Sequence, residues 1–224
     1  NFRLKIDDYK GENGGIVFPN PNAPTGIYES LDHVEEIIKN NPDVIVIVDE
    51  AYIDFGGETS LPLIDKYDNL VVVRTFSKSR SMAGLRIGYA ISNSELIKAL
   101  NDVKYSYNSY TMNRPSLVLG VESIHDDAYF REKVGQIIAT RERFVKEIAE
   151  LGFTCLPSSA NFVFATHESI PAKEIFAAAK ENNIYVRYFD KPRIDNYLRI
   201  SIGTDAEMDA FVAFLKGYVE TKQN

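Results

Sequence analysis

Apolar positions follow two rhythms along the chain. In the front half, short continuous runs alternate with segments whose apolar residues recur at helical spacing. The runs Gly15-Ile-Val-Phe18, Val44-Ile-Val-Ile-Val48, Leu70-Val-Val-Val73 and Gly88-Tyr-Ala-Ile91 predict strands. Between the first two, Ser30 is placed to cap a helix carrying Leu31, Val34, Ile37 and Ile38 on one face, ended by Asn41-Pro42. Ser94 is placed to cap another through Leu100. A run such as Val44–Val48 reads as a strand buried on both faces, which suits a parallel sheet between helices. The alternation predicts an α/β fold with a mostly parallel sheet flanked by helices.

The rhythm changes near Ser123–Asp127. Residues 127–150 carry Phe130, Val134, Ile137, Ile138, Phe144, Val145 and Ile148 near helical spacing, and Gly152 stops the helix. Strands are then predicted at Phe153–Leu156, Asn161–Ala165, Ile184–Arg187 and Tyr197–Ile202, with helices at 172–182 and after Thr204. Residues 1–125 therefore read as part of a large domain. Residues 126–224 read as a long linking helix and a smaller α+β C-terminal domain.

Composition narrows the classes of function. A net charge of −7 over 224 residues speaks against nucleic acid or an anionic membrane as partner. No apolar run approaches the roughly 18–20 residues of a membrane span. One cysteine, Cys155, excludes an internal disulfide and fits a reducing, cytoplasmic compartment. His33, His125 and His167 show no metal-ligand spacing with one another or with Cys155, so no metal is expected, and each reads as a surface or helix-end histidine. The aromatic run Tyr105-Ser-Tyr-Asn-Ser-Tyr110 suits packing, with a pocket wall or subunit face as the other reading.

The chemistry concentrates in Thr75-Phe-Ser-Lys-Ser-Arg-Ser-Met-Ala-Gly-Leu-Arg86-Ile-Gly, which follows directly on the Leu70–Val73 strand. A lysine held at a strand end, among hydroxyls and ahead of an arginine, has the parts of a Schiff-base site with a phosphate clamp. Taken alone, the same residues equally describe a solvated turn. Asp49-Glu-Ala-Tyr52 leaves the carboxyl end of its strand, where ligands gather in open α/β sheets. A carboxylate there can hold a proton on a ring nitrogen, and it can also be an acidic cap beside a packing tyrosine.

Together and in order, Asn20-Pro-Asn-Ala-Pro-Thr-Gly26, Asp49-Glu-Ala-Tyr52 and Thr75-Phe-Ser-Lys78 with Arg86 resemble the fold-type I pyridoxal-phosphate aminotransferases, nearest the histidinol-phosphate aminotransferases. The resemblance implies pyridoxal 5'-phosphate as cofactor and small amino-acid and 2-oxo-acid substrates. It makes Lys78 the lysine that forms the aldimine and shuttles a proton. Asp49 becomes the partner of the ring nitrogen, Tyr52 a donor to the ring oxygen, and Thr75, Ser77 and Arg86 the phosphate clamp. Where the family commonly has asparagine before Pro-Thr-Gly, this chain has Ala23, so Asn22 or Tyr52 alone must serve the ring oxygen. The bonds before Pro21 and Pro24 are candidates for cis peptides.

In the second half, Tyr197-Leu-Arg199-Ile-Ser-Ile-Gly-Thr204 resembles the segment that grips the substrate carboxylate, with Arg199 on the strand face opposite Leu198 and Ile200. By the same resemblance Arg187 meets a substrate phosphate and Asn161 lines the site.

The implied reaction exchanges histidinol phosphate and 2-oxoglutarate for imidazole-acetol phosphate and glutamate, in a homodimer. An aromatic amino-acid aminotransferase or a threonine-phosphate decarboxylase of the same fold remains open. So does an inactive fragment that only binds a partner subunit. The resemblance further implies roughly another third of chain before Asn1, without which the sheet has an uncovered edge and the cofactor lacks a wall.

Overall fold

The computed structural model describes residues 2–223. In chain order its main elements are β1 (Ile16–Pro19), α1 (Leu31–Lys39), β2 (Val46–Asp49), β3 (Leu70–Thr75), β4 (Gly88–Ile91), α2 (Ser94–Tyr107), α3 (Arg114–His125) and α4 (Asp127–Ala149). There follow β5 (Phe153–Cys155), β6 (Phe162–His167), α5 (Ala172–Glu181), β7 (Arg187–Tyr188), β8 (Leu198–Ser201) and α6 (Asp205–Gln223).

The first sheet runs β1-β2-β3-β4. Its first three strands are parallel, and β4 turns back antiparallel on β3. The register sets Pro19 beside Asp49 and Asp49 beside Val73, so three carboxyl ends open on one side of the sheet. Ser30 caps α1 by accepting the His33 N–H, and α1 fully buries Val34, Ile37 and Ile38 against Ile16, Phe18, Val46, Val48, Leu70 and Val72. Three such side chains contribute about 5–9 kcal/mol, which anchors the helix to the sheet.

The opposite sheet face differs from the expectation of strands buried on both sides. Val17 is 69% exposed, Ile47 is half-buried, and Ile45 lies outside β2, while Val71, beside Ile47 on the same face, is buried. Among the described residues only one face of this sheet is covered by helix α1, so burial alternates along β2.

The second sheet runs β5-β6-β8-β7 and is antiparallel throughout. Val163, Ala165, Leu198 and Ile200 form its core face and pack with residues of α4, α5 and α6 such as Phe144, Ile175 and Phe211. Phe162, Phe164 and Arg199 share the other face, since Arg199 is the register partner of Phe164. That face meets the first sheet in a small cluster of Tyr52, Phe55, Val134, Ala160 and Phe162. Gly26 adds a main-chain tie, its carbonyl accepting the Ser159 N–H at 2.8 Å.

Several local expectations are corrected. Asn93, not Ser94, caps α2, because its side chain accepts the Leu96 N–H at 3.0 Å and Ser94 is already helical. The strand expected at Ile184–Arg187 is reduced to Arg187–Tyr188. His167 is buried rather than at the surface: its Nδ1 accepts the N–H groups of Ser169 and Ile170, each at 3.1 Å, and its Nε2 lies 2.9 Å from the Leu151 carbonyl. The tyrosine run does not pack within the chain, with Tyr105, Tyr107 and Tyr110 at 64%, 90% and 94% exposure. No described helix is long and apolar enough to cross a membrane.

Candidate active site

The carboxyl ends of β1, β2 and β3 carry the sequence-predicted residues into one region. The chain leaves β1 through Asn20, whose N–H donates to the Asp49 carbonyl at 2.8 Å and whose side chain bridges to the backbone of Glu29. The Asn20-Pro21 and Ala23-Pro24 bonds are both cis. Asn22 donates its amide to Thr25 Oγ1 at 2.6 Å, inside the same turn, while Ala23 packs against the Tyr52–Phe162 cluster.

At the end of β2, the Asp49 carboxylate accepts the Ala51 N–H at 2.9 Å, a local turn that holds it at the strand tip. Tyr52 opens the 3-10 turn Ile53–Phe55 and is buried, its ring edge-on to Phe162 with centroids 5.2 Å apart. The Lys78 Nζ lies 5.3 Å from the centre of the Tyr52 ring.

Lys78 is reached directly from β3. Thr75 Oγ1 lies 2.9 Å from Ser77 Oγ and 3.1 Å from the Ile87 carbonyl, and it accepts the Ser77 N–H at 3.0 Å. These bonds tie the two hydroxyls to each other and to the backbone of Ile87, the residue that follows Arg86. Arg86 has a left-handed backbone (φ 56°) and donates from Nη1 to the Ala83 carbonyl at 3.1 Å. Thr75 and Ser77 thus lie at the start of the loop that carries Lys78, and Arg86 lies at its end, where the backbone returns to pair Phe76 with Ile87. Arg80 turns the other way, stacked 4.2 Å from Phe130 and donating to the Ser123 carbonyl.

From the second sheet, Arg199 faces this region with its guanidinium 5.2 Å from the Phe162 ring centre. Its Nε is buried without a hydrogen-bond partner among the described residues. Arg187 is exposed and stands directly opposite Arg199 in the β7–β8 register. Two like charges across a strand pair repel, and an anion between them relieves that cost. Asn161 is half-buried just ahead of β6, its carbonyl accepting the Ile202 N–H at 2.9 Å. Lys78, Tyr52, Phe162 and Arg199 therefore form a column that sets an amine at one end and, at the other, a guanidinium whose buried Nε has no partner among the described residues.

Sequence reasoning missed the residues that hold this column in place. Glu50 is buried and accepts from Arg74 Nη2 at 2.8 Å, Thr59 Oγ1 at 2.8 Å and the Ser60 N–H at 2.5 Å. Burial alone would lower the Arg74 pKa, but the hydrogen bond and charge of Glu50 raise it. The signal was present: Glu50 continues the core-facing series Val46, Val48, and Arg74 continues Leu70, Val72. Asp54 accepts the Ser79 hydroxyl at 2.5 Å and so ties the turn after Tyr52 to the residue after Lys78.

A sequence model of the family described as Aminotransferase class I and II matches residues 1–215. A histidinol-phosphate aminotransferase of Clostridium botulinum is 51% identical over 216 residues, covering 96% of this chain and 61% of that protein. One of Lactococcus lactis subsp. cremoris is 50% identical over 223 residues, covering 100% of this chain and 63% of that protein. Among solved structures, histidinol-phosphate aminotransferase from Sinorhizobium meliloti in complex with pyridoxal-5'-phosphate superposes with a TM-score of 0.82 at 26% identity, over 93% of this chain and 58% of that one. The chain spans about three-fifths of the length of these relatives. With its carboxyl-end lysine, strand-tip aspartate and facing arginine in that shared frame, the chain belongs to the class I and II aminotransferases.

Proposed function

We propose that the complete protein carrying this chain is a pyridoxal-phosphate-dependent aminotransferase. It exchanges histidinol phosphate and 2-oxoglutarate for imidazole-acetol phosphate and glutamate. The observation that carries the reaction class is the Lys78–Tyr52–Phe162–Arg199 column at the carboxyl ends of three parallel strands. The choice of substrate follows relatives about 50% identical that bear that name.

The donor set fits the cofactor. Two hydroxyls and an exposed guanidinium bonded to the Ala83 carbonyl suit a phosphate dianion, and a carboxylate at a strand tip suits a protonated ring nitrogen. When bound, the cofactor supplies an electron sink for the substrate carbon that bears the amine. Asp49 holds a proton on the ring nitrogen. Tyr52 would donate to the ring oxygen, and the amide hydrogen that Asn22 keeps beyond its Thr25 bond would be the second donor available to it. Thr75, Ser77 and Arg86 bind the phosphate. Lys78 Nζ takes the proton from the amine-bearing carbon and returns it on the other side of the exchange. Arg199 grips the carboxylate of glutamate or 2-oxoglutarate, Arg187 the phosphate of histidinol phosphate, and Asn161 lines the substrate's path.

Residues 1–125 act as part of the cofactor-binding domain and residues 126–224 as the linking helix and small substrate domain. The exposed apolar residues Tyr107, Tyr110, Leu117, Val118, Val121 and Ile124 support a homodimer through this side. The free Cys155 supports a cytoplasmic setting.

Two measurements test the proposal. Adding pyridoxal phosphate to the complete protein should produce a visible absorbance band that borohydride fixes to Lys78. The same band in Lys78→Ala would contradict the lysine's role. Turnover is then compared on histidinol phosphate, phenylalanine and threonine phosphate. Preference for histidinol phosphate is expected, and turnover only of phenylalanine or threonine phosphate would replace the substrate assignment.

A further inference from the structure

Arg141 is a charged residue in the middle of an apolar helix face. On α4 it follows Val134, Ile137 and Ile138 and precedes Phe144 and Ile148 at helical spacing, and it is only 6% exposed. Nothing in the proposed reaction uses it. Its Nη1 donates to two main-chain carbonyls from separate parts of the chain, Phe55 at 3.1 Å and Ala160 at 2.8 Å. The opposite edge of the guanidinium, Nε and Nη2, is held at 3.2 Å and 3.0 Å by Glu142 Oε1.

Both carbonyls belong to segments that carry one end of the column. Phe55 closes the 3-10 turn that begins after Tyr52 and includes Asp54, the residue bonded to Ser79 next to Lys78. Ala160 directly precedes Asn161 and Phe162, and Phe162 is the ring beneath Arg199. One rigid, planar group therefore joins the lysine-bearing half of the site to the arginine-bearing half. We propose that Arg141 is a positioning residue that fixes the separation between Lys78 and Arg199, and so the fit of a substrate that must offer an amine to one and a carboxylate to the other. The inference rests on the aminotransferase reading above.

Lysine cannot replace this function. An ammonium on a flexible stem has no fixed fork with which to reach two carbonyls while its other edge is held by a carboxylate. Displacement of the two ends by even an ångström is felt strongly in a reaction that depends on bound geometry.

The test uses the complete protein with pyridoxal phosphate bound, and compares Arg141→Lys and Glu142→Gln with the unaltered enzyme. If the unaltered enzyme does not transaminate glutamate, the aminotransferase reading itself fails. If it does, Arg141→Lys should retain borohydride-fixable cofactor at Lys78 while its KM for glutamate rises about tenfold or more. Glu142→Gln, at an exposed position, should raise the same KM by about threefold, because an amide oxygen without charge holds that edge of the guanidinium less firmly. A lower melting temperature with KM unchanged in both variants would reduce Arg141 to a structural brace and overturn the proposal. Loss of the cofactor in parallel with loss of glutamate affinity would overturn it too, since the defect would then not lie in the spacing of the two ends.

Discussion

Replacing Arg74 with methionine removes one side of a buried ion pair and leaves the other in place. The Glu50 side chain is 1% exposed and that of Arg74 18%. Arg74 immediately precedes Thr75, and Glu50 immediately follows Asp49, so the pair locks together the tips of β3 and β2 that carry two of the proposed cofactor-binding residues. Removing one partner of a buried pair costs about 3–5 kcal/mol, because the remaining charge keeps its desolvation penalty without its counter-charge. Glu50 would still accept the Ser60 N–H at 2.5 Å and the Thr59 hydroxyl at 2.8 Å. Bonds to a charged group contribute about 1.5–3 kcal/mol each, which places the expected loss near the lower end, about 3 kcal/mol. For a chain of this size that corresponds to a fall in the unfolding midpoint of about 6–12 °C. Glu50→Gln should cost less, because the Arg74 left behind can turn partly to water. The double variant Glu50→Gln/Arg74→Met should be more stable than the sum of the two losses allows. Thermal unfolding of the four proteins, at fixed cofactor concentration, measures the cycle. A shift below about 2 °C in Arg74→Met, or single effects that add within about 0.5 kcal/mol, would refute the claim that the pair acts as one buried unit.

Two further outcomes follow from the packing. Gly26 has φ +78°, and a Cβ there would lie 2.6 Å from Ser158 Oγ and 3.3 Å from Ser158 Cα. Ser158 is held by its own bonds to the Phe162 carbonyl at 2.5 Å and the Ala160 N–H at 3.2 Å, so it cannot swing aside freely. Left-handed backbone alone costs a non-glycine residue about 1–2 kcal/mol, and with the clash Gly26→Ala should lower the unfolding midpoint by more than about 4 °C; an unchanged midpoint would count against this account of the turn. Burial pushes the Cys155 thiol up from its ordinary value of 9.0 to about 11. At pH 8 only about one thiol in a thousand is then ionised in the folded protein, so iodoacetamide should label Cys155 quickly only after denaturation. The sign of the linkage is fixed by the same shift: the neutral buried thiol contributes its full stability below pH 9, and that contribution is lost as pH rises toward 11. Prompt labelling of the native protein at pH 8 would show that the thiol is not held in this environment.

What is legible in the sequence is whatever is declared locally. The runs at Ile16, Val46 and Leu70 are strands because continuous apolar residues between turn signals leave no other economical arrangement, and Lys78, Asp49 and Arg86 stand out because each follows such a run or precedes a glycine. What is not legible is which neighbour a face meets. Ile45 and Val17 are as apolar as Val46 and Val48, and their exposure follows from what covers each side of the sheet, which no local pattern states. The exposure of Tyr105, Tyr107 and Tyr110 escapes a local reading for the same reason. The residues that hold the candidate site together pose a different problem, because their roles are defined by partners far off in sequence: Arg141 meets Phe55 across 86 positions and Arg74 meets Glu50 across 24. Yet their phase is visible. Arg141 stands three residues after Ile138 and three before Phe144, inside the stripe that the long helix buries, and Glu50 and Arg74 keep the core parity of the strands they extend. A charge in a buried phase must find an opposite charge or a set of carbonyls, or the fold is lost. Such a residue therefore announces a tie between distant segments without naming its partners: in this chain one tie joins the ends of β2 and β3, and the other joins the turn after Tyr52 to the residue two before Phe162.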